Sequence, residues 1–196
     1  MRSLPQCAAF GAFIFALRIR LVWHSRVMTE LTWQSHPTPI GELEIAATER
    51  GIALVAFGRA EAERKLRMHP ELRLATEPDA RAQAHLQLAA RQIDEYFSRE
   101  RREFSVPLDL LGATGFQALA QQTLARIPYG ETVSYGELAE MTGHPRAARA
   151  AGTACATNPL PILRPCHRVV RADGSLGQYG GTPAVKRFLL ELEGGA

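Results

Sequence analysis

Strand-like hydrophobic patterning first shows in "IGELEIAATERGIALVAFG", positions 40 to 58. Two apolar-rich runs there flank a Glu-Arg-Gly turn, which predicts a β-hairpin. The period then lengthens. "AEAERKLRMHP" reads as a helix ended by Pro70. "DARAQAHLQLAARQIDEYFSRE" reads as a longer helix, with Leu86, Leu88, Ile93 and Phe97 supplying most of its apolar side. "EFSVPLDL" alternates and predicts another strand. Together these segments describe a small α/β unit without a chemical signature, a tandem repeat or a low-complexity tract.

Helical spacing dominates the second half. "TGFQALAQQTLARIPYG" places Thr114 and Gln117 at capping-box spacing. Phe116, Leu119, Ala120, Thr123, Leu124 and Ile127 then form one helical face, and Pro128 stops it. "SYGELAEMTG" repeats the capping device with Ser134 and Glu137, and Gly143 ends that helix. Pro145 stands where a first helical residue is expected, so "RAARAAGTACATN" is read as the next helix. Helix, short glycine-containing turn, helix is the pattern of a helix-turn-helix. The same arrangement also occurs without DNA binding. The second helix carries Arg146 and Arg149 among alanine and glycine. Such small side chains suit a helix lying close against another surface, or one packed tightly into a core. "TPAVKRFLLELEGG" supplies a last helix, with Thr182 as N-cap, Pro183 at its first position, and Val185, Phe188, Leu189 and Leu192 on one face. Glu193 closes that helix, where a carboxylate opposes the helix dipole. It needs a partner, and His167 is the candidate.

Charge alters this picture locally rather than globally. The chain has 196 residues and a formal net charge of +3. Residues 1–27 carry four arginines and no acid, residues 28–109 carry eleven basic and fourteen acidic groups, and residues 110–196 carry eight and six. Beyond position 27 the chain is therefore slightly acidic, and overall charge does not argue for DNA. Between Met141 and Ala172, however, stand five arginines and no acid. That run is either a solvated face or a site for an anionic ligand. Residues 1–27 look foreign to the rest of the chain. Their apolar run is too short to span a bilayer as a helix, and it matches a secretory signal poorly. An over-extended gene start, with Met28 as the true beginning, is the preferred reading. Three cysteines are too few for a disulfide framework, and no zinc-ligand spacing is present. These features predict a reduced, cytoplasmic protein without metal or cofactor.

The candidate chemistry lies in "LRPCHRVVRADG", positions 163 to 174. Cys166 is either a small buried hydrophobe or a thiolate nucleophile beside a base. Pro159, Pro161 and Pro165 stiffen its approach, which suits a nucleophile, since small misplacements slow attack steeply. On an extended chain His167 and Cys166 point apart, so a bridging water would carry the proton between them. Arg164, two residues before Cys166, would share its face. There it would lower the thiol pKa, bind a phosphate, or pair with the acidic first unit; the ion pair is the plainest of the three.

In these residues the chain resembles the O6-alkylguanine-DNA alkyltransferases, the methylated-DNA–protein-cysteine methyltransferases. "YGETVSYGELA", "RAARAAG", "NPLPIL", "PCHRVV", "GSLGQYGG" and "AVKRFLLELEG" match in order, within a resemblance running from about Met28 to Gly194. Regulatory members add a cysteine-rich zinc domain, which has no counterpart here. Non-reactive relatives carry Trp where this chain keeps Cys166. The resemblance implies a two-domain α/β protein: an RNase H-like unit over 28–109 and a winged helix-turn-helix unit over 110–196. It implies irreversible transfer of an alkyl group from O6-alkylguanine, and from O4-alkylthymine, to Cys166. His167 would take the thiol proton through water, Glu193 would orient His167, and Asn158 would join their network. Tyr135 would assist the leaving guanine and face the DNA backbone. Arg149 would fill the stack vacated by the flipped base, with Arg146 and Arg164 on the same DNA side. Tyr179 and Arg168 would border the base pocket. The implied partner is double-stranded DNA, bound by a monomer away from any membrane. A cysteine hydrolase or acyltransferase, and a non-catalytic helix-turn-helix regulator, are the rival readings.

Overall fold

The computed structural model describes residues 28–111, 114–177 and 179–194. The leader at 1–27, with the gene-start reading attached to it, lies outside the described residues.

The first unit is a four-stranded sheet in the order β3-β2-β1-β4, formed by β1 (Thr29–Thr38), β2 (Gly41–Thr48), β3 (Gly51–Phe57) and β4 (Leu72–Leu74). The expected hairpin is β2 and β3, antiparallel, with a bulge at Ala46/Ala47. β1 pairs antiparallel with β2 and parallel with β4. Helix α1 (Arg59–Met68) stops just short of Pro70, because the residue before a proline is disfavoured in the helical region. Helix α2 (Ala80–Phe97) starts at Asp79, whose carboxylate accepts the Ala82 N–H at 2.8 Å. "EFSVPLDL" is not a strand. It runs beside β3 through an isolated bridge between Ile52 and Leu108. Pro107 offers a carbonyl to Ile52 but has no N–H to extend a ladder.

The two faces of the sheet bury different side chains, alternating along β2, while in β3 the bulge puts the neighbours Ala53 and Leu54 on one face. Leu43, Ile45, Ala47, Ile52 and Val55 pack against Ala82, Leu86, Ala89, Ile93 and Tyr96 of α2. Leu31, Ala46, Ala53, Leu54 and Ala56 pack against Ala62 of α1 and Leu72. The first of these cores also takes in Leu160, Ile162, Leu163 and Leu189 from the second unit. In addition, the Val55 N–H donates to Pro159 O at 2.8 Å. The segment leading to Cys166 is thus fastened to the edge of β3.

The second unit contains α3 (Gly115–Thr123), β5 (Val133–Ser134), α4 (Tyr135–Met141), α5 (Ala148–Ala156), β6 (Val169–Val170) and α6 (Pro183–Glu193). The Ser134–Glu137 capping box forms in full. The one expected at Thr114 does not: its side chain makes no cap bond, and Gln117 donates instead to Thr157 Oγ1 at 2.8 Å. Leu119, assigned to the buried face of α3, is 39% exposed, and Phe188 of α6 is also exposed. Pro145 lies in a turn, and α5 begins three residues later, which leaves Arg146 outside the helix. Thr182 and Pro183 start α6 as expected.

No helix among the described residues is long and apolar enough to cross a membrane.

Candidate active site

Short parallel pairing of β5 with β6 assembles the site. Val133 sits beside Val169 and Ser134 beside Val170. Tyr135, first residue of α4, is therefore carried next to the single 3-10 turn Cys166–Arg168 that precedes β6. Cys166 is 4% exposed and packs with Leu124, Ile127, Leu138, Ala151, Cys155 and Val169. Its approach contains one strained residue, Ile162 at φ 71°, a conformation rare for a β-branched side chain and costing about 1–3 kcal/mol. Surrounding packing holds it there.

Asn158 organises the thiol. Its Nδ2 lies 3.1 Å from Cys166 Sγ and 2.8 Å from Arg164 O, and its Oδ1 accepts the Leu160 N–H at 3.1 Å. The Cys166 N–H also donates to Arg164 O, at 2.7 Å. Burial pushes the Cys166 thiol up, against the pull of the Asn158 hydrogen bond and the Lys65 and Lys186 charges. At neutral pH the sulfur therefore keeps its proton until something takes it.

His167 is fully buried, with Nε2 at 2.8 Å from Glu193 Oε1. Its Nδ1 is buried without a protein partner. Burial holds the imidazole below its ordinary value despite Glu193, with Arg168 and Lys186 adding to the effect. In its neutral form it is able to accept a proton.

Glu193 ends α6, and Gly194 behind it takes the left-handed conformation, φ 76°, of a helix C-cap. The carboxylate's unfavourable place against the dipole is offset by donors. Oε1 accepts from His167, from Tyr96 Oη at 2.7 Å and from Arg168 Nη2 at 3.0 Å. Oε2 accepts from Arg168 Nε at 2.8 Å and from the Gly130 N–H at 3.2 Å. Burial alone would raise this carboxyl. Its hydrogen bonds, chiefly from His167, Arg168 and Tyr96, outweigh that and hold it well below the usual carboxylate range. Position 130 must be glycine for this approach, since a Cβ there would lie 2.9 Å from Glu193 O, at φ 80°.

The remaining expected site residues divide. Tyr135 is half-buried against Gly152, and Gly177 (φ 65°) lets the chain pass so close that a Cβ would meet Tyr135 Oη at 2.7 Å. Tyr179 packs its ring against Phe57 at 5.4 Å and edge-on to His167 at 6.4 Å, and its hydroxyl is buried without a partner. Arg146 and Arg149 are exposed and make no ion pair among the described residues. Two expectations need correction. Arg168 is not free to line a base pocket: both its bonds to Glu193 and one to Ile127 O hold it inside, with its guanidinium 5.7 Å from the Tyr129 ring. Arg164 makes no ion pair among the described residues. Its Nη1 donates to the carbonyls of Gln121 (3.3 Å) and Gln122 (3.0 Å) at the end of α3. The turn at Cys166 also breaks the alternation that would have put Arg164 on the sulfur's face.

Reading the sequence missed Tyr96, Lys65 and Lys186. Lys65 bonds Val55 O at 2.7 Å and Asn158 O at 3.4 Å, bridging the two units behind the thiol. Lys186 is fully buried on the carbonyls of Val169 and Leu176. A buried-face tyrosine in α2 was the available signal, because a buried hydroxyl needs a partner.

Residues 31–110 match the family profile described as 6-O-methylguanine DNA methyltransferase, ribonuclease-like domain, and residues 115–195 match that of the same enzyme's DNA binding domain. A methylated-DNA–protein-cysteine methyltransferase of Methanosarcina acetivorans is 40% identical over 157 residues, covering 80% of this chain and 94% of the relative. The chain belongs to the 6-O-methylguanine DNA methyltransferase family. A methyltransferase of the same name from Mycobacterium leprae is 54% identical over 105 residues, a stretch spanning 54% of this chain and 63% of that relative's length. The structure of Mycobacterium tuberculosis OGT in complex with DNA superposes with a TM-score of 0.69 at 40% identity, covering 83% of this chain and 92% of the other. The chain thus has the two-part α/β architecture of the 6-O-methylguanine DNA methyltransferases, an N-terminal domain followed by a DNA-binding one.

Proposed function

We propose that this protein repairs DNA by moving the alkyl group of O6-alkylguanine, and of O4-alkylthymine, irreversibly onto Cys166. The observation that carries this reading is the buried chain of contacts from Asn158 to Cys166, and from His167 to Glu193. A protonated thiol and a neutral imidazole form an acid–base pair with nothing to neutralise beforehand. The Cys166 proton passes through a water to Nδ1 of His167, and Glu193 stabilises the resulting imidazolium. Sulfur attacks the alkyl carbon, a C–S bond forms, and the C–O6 bond breaks. Its electron pair leaves on guanine, whose developing anion accepts a hydrogen bond from the Tyr135 hydroxyl and takes its proton from water. The product is a thioether, and no group in the chain reverses it, so each molecule reacts once.

O6 lies inside the duplex stack, so the nucleotide must be flipped out to reach a buried sulfur. We assign α4 and α5 as a winged helix-turn-helix, with Arg149 filling the gap left by the flipped base and Arg146 beside it on phosphate. Tyr179 borders the receiving pocket. The first unit is taken as RNase H-like, and the working form as a cytoplasmic monomer. Incubation with a duplex carrying one O6-methylguanine tests the reading by intact mass. One retained methyl per molecule, on the peptide containing Cys166, is the expected result. Absence of an adduct, or repeated turnover, would overturn it.

A further inference from the structure

The catalytic carboxylate is held from both units, and the first unit's contribution is a single hydroxyl. Tyr96 is fully buried near the end of α2, with its ring 5.4 Å from Phe97, 5.4 Å from Phe104 and 6.2 Å from Tyr129. Nothing in that aromatic cage competes for its hydroxyl, which donates to Glu193 Oε1 at 2.7 Å. The same oxygen accepts His167 Nε2. We propose that Tyr96 is a positioning residue for the reaction: it fixes Glu193 against His167 and moderates the carboxylate's pull on the imidazole proton.

The physical reason is competition at one oxygen. A donor on Oε1 spreads part of its negative charge and restrains its rotation. Without that donor the carboxylate draws the His167 proton more strongly, and the imidazolium is favoured. The other groups facing the pair would be unchanged. Arg168 follows His167 in the same turn, Gly130 N–H approaches from the loop before β5, and Lys186 lies on α6. Tyr129 and Tyr179 also sit near Glu193, and Asn158 near the sulfur. None of them donates to Oε1 in place of Tyr96 except Arg168. On the alkyl-transfer reading of the site, on which this role rests, an imidazole protonated too early cannot take the thiol proton.

Tyr96→Phe removes one oxygen and leaves the cage. Titration of the His167 ring by NMR is the direct measurement. Loss of one charge-assisted hydrogen bond should move that titration up by about one pH unit. The acid limb of the rate with free O6-benzylguanine should move up with it. Phe104→Leu serves as the companion variant, since it loosens the same cage without touching the hydroxyl. It should lower the unfolding midpoint and leave the His167 titration in place. Identical His167 titrations in Tyr96→Phe and parent would overturn the proposal, as would a rate reduced by one factor at every pH. If the parent takes up no alkyl group, the alkyl-transfer reading fails instead, and the titration still decides whether Tyr96 sets the imidazole.

Discussion

The first unit buries Leu43, Ile45, Ala47, Ile52 and Val55 under α2, whereas the second buries Asn158, His167, Arg168, Lys186 and Glu193 around one cysteine. Both are cores, but they are stabilised differently. Apolar burial is non-directional and tolerates small shifts. A buried polar network depends on specific partners, and each donor or acceptor left unmet is costly. The second arrangement is the more fragile, and it is also the one that can do chemistry. Its partners come partly from the first unit, through Tyr96 and Lys65. A unit without a chemical signature thus shapes the site it does not contain.

The largest expected effect lies inside the polar core. Cys166→Ser should abolish alkyl uptake by intact mass while leaving duplex binding near the parent's, because the proposed reading assigns affinity to the exposed arginines and the helix that carries Arg149. Cys155, buried in the same cluster with burial pushing its thiol far up, should be silent when changed to Ser. An adduct lost in the Cys155 variant alone would move the nucleophile.

Next comes a matched pair, one from each core. Glu193→Ala leaves His167, Arg168 and Tyr96 without their shared acceptor, and removing one partner from a buried ionic cluster costs about 3–5 kcal/mol. Ile45→Ala opens a cavity in the apolar core and costs about 2–5 kcal/mol. Urea midpoints should fall comparably. Alkyl uptake per folded molecule should separate the two, lost with Glu193→Ala and retained with Ile45→Ala. If both variants lose it equally, the cores do not divide the work in this way.

Legibility in the sequence divides along the same line. The β2–β3 hairpin was readable as two apolar runs around a turn, buried on both sheet faces, and α2 from the helical period of its apolar side. β1 was not, since its residues mix buried, half-buried and exposed positions without alternation, and β4 is three residues long. In the second unit the pairing of Glu193 with His167 was read from a carboxylate at the wrong end of a helix, whereas Cys166 stayed open between buried hydrophobe and nucleophile until the family resemblance decided it. Tyr96 was passed over for its neighbour Phe97, which carried the apolar signal. Arg164 was read as an exposed cation and Arg168 as a border of the base pocket, although Arg164 bonds the last carbonyls of α3 and Arg168 is held on Glu193 and Ile127 O. Charge in a sequence does not tell which way a guanidinium points.

The smallest expected effect concerns Arg164, which stands where the two kinds of core meet. Its backbone carbonyl accepts both Asn158 Nδ2 and the Cys166 N–H, while its side chain reaches the last carbonyls of α3. A cation at a helix C-terminus typically contributes about 0.3–1 kcal/mol. Against this, its Nε is buried without a partner, which offsets part of the gain. The balance is small, so Arg164→Val should change the unfolding midpoint by less than about 1 kcal/mol equivalent. What it removes is a tether from the active-site loop to α3. Alkyl transfer should slow slightly, and by the same factor on free O6-benzylguanine and on duplex, with the salt dependence of DNA binding unchanged. Arg164→Lys keeps a cation able to reach a carbonyl and should recover most of the rate. A flattened salt dependence in Arg164→Val would instead place this side chain on DNA phosphate, and the contact with α3 would then not describe the bound protein.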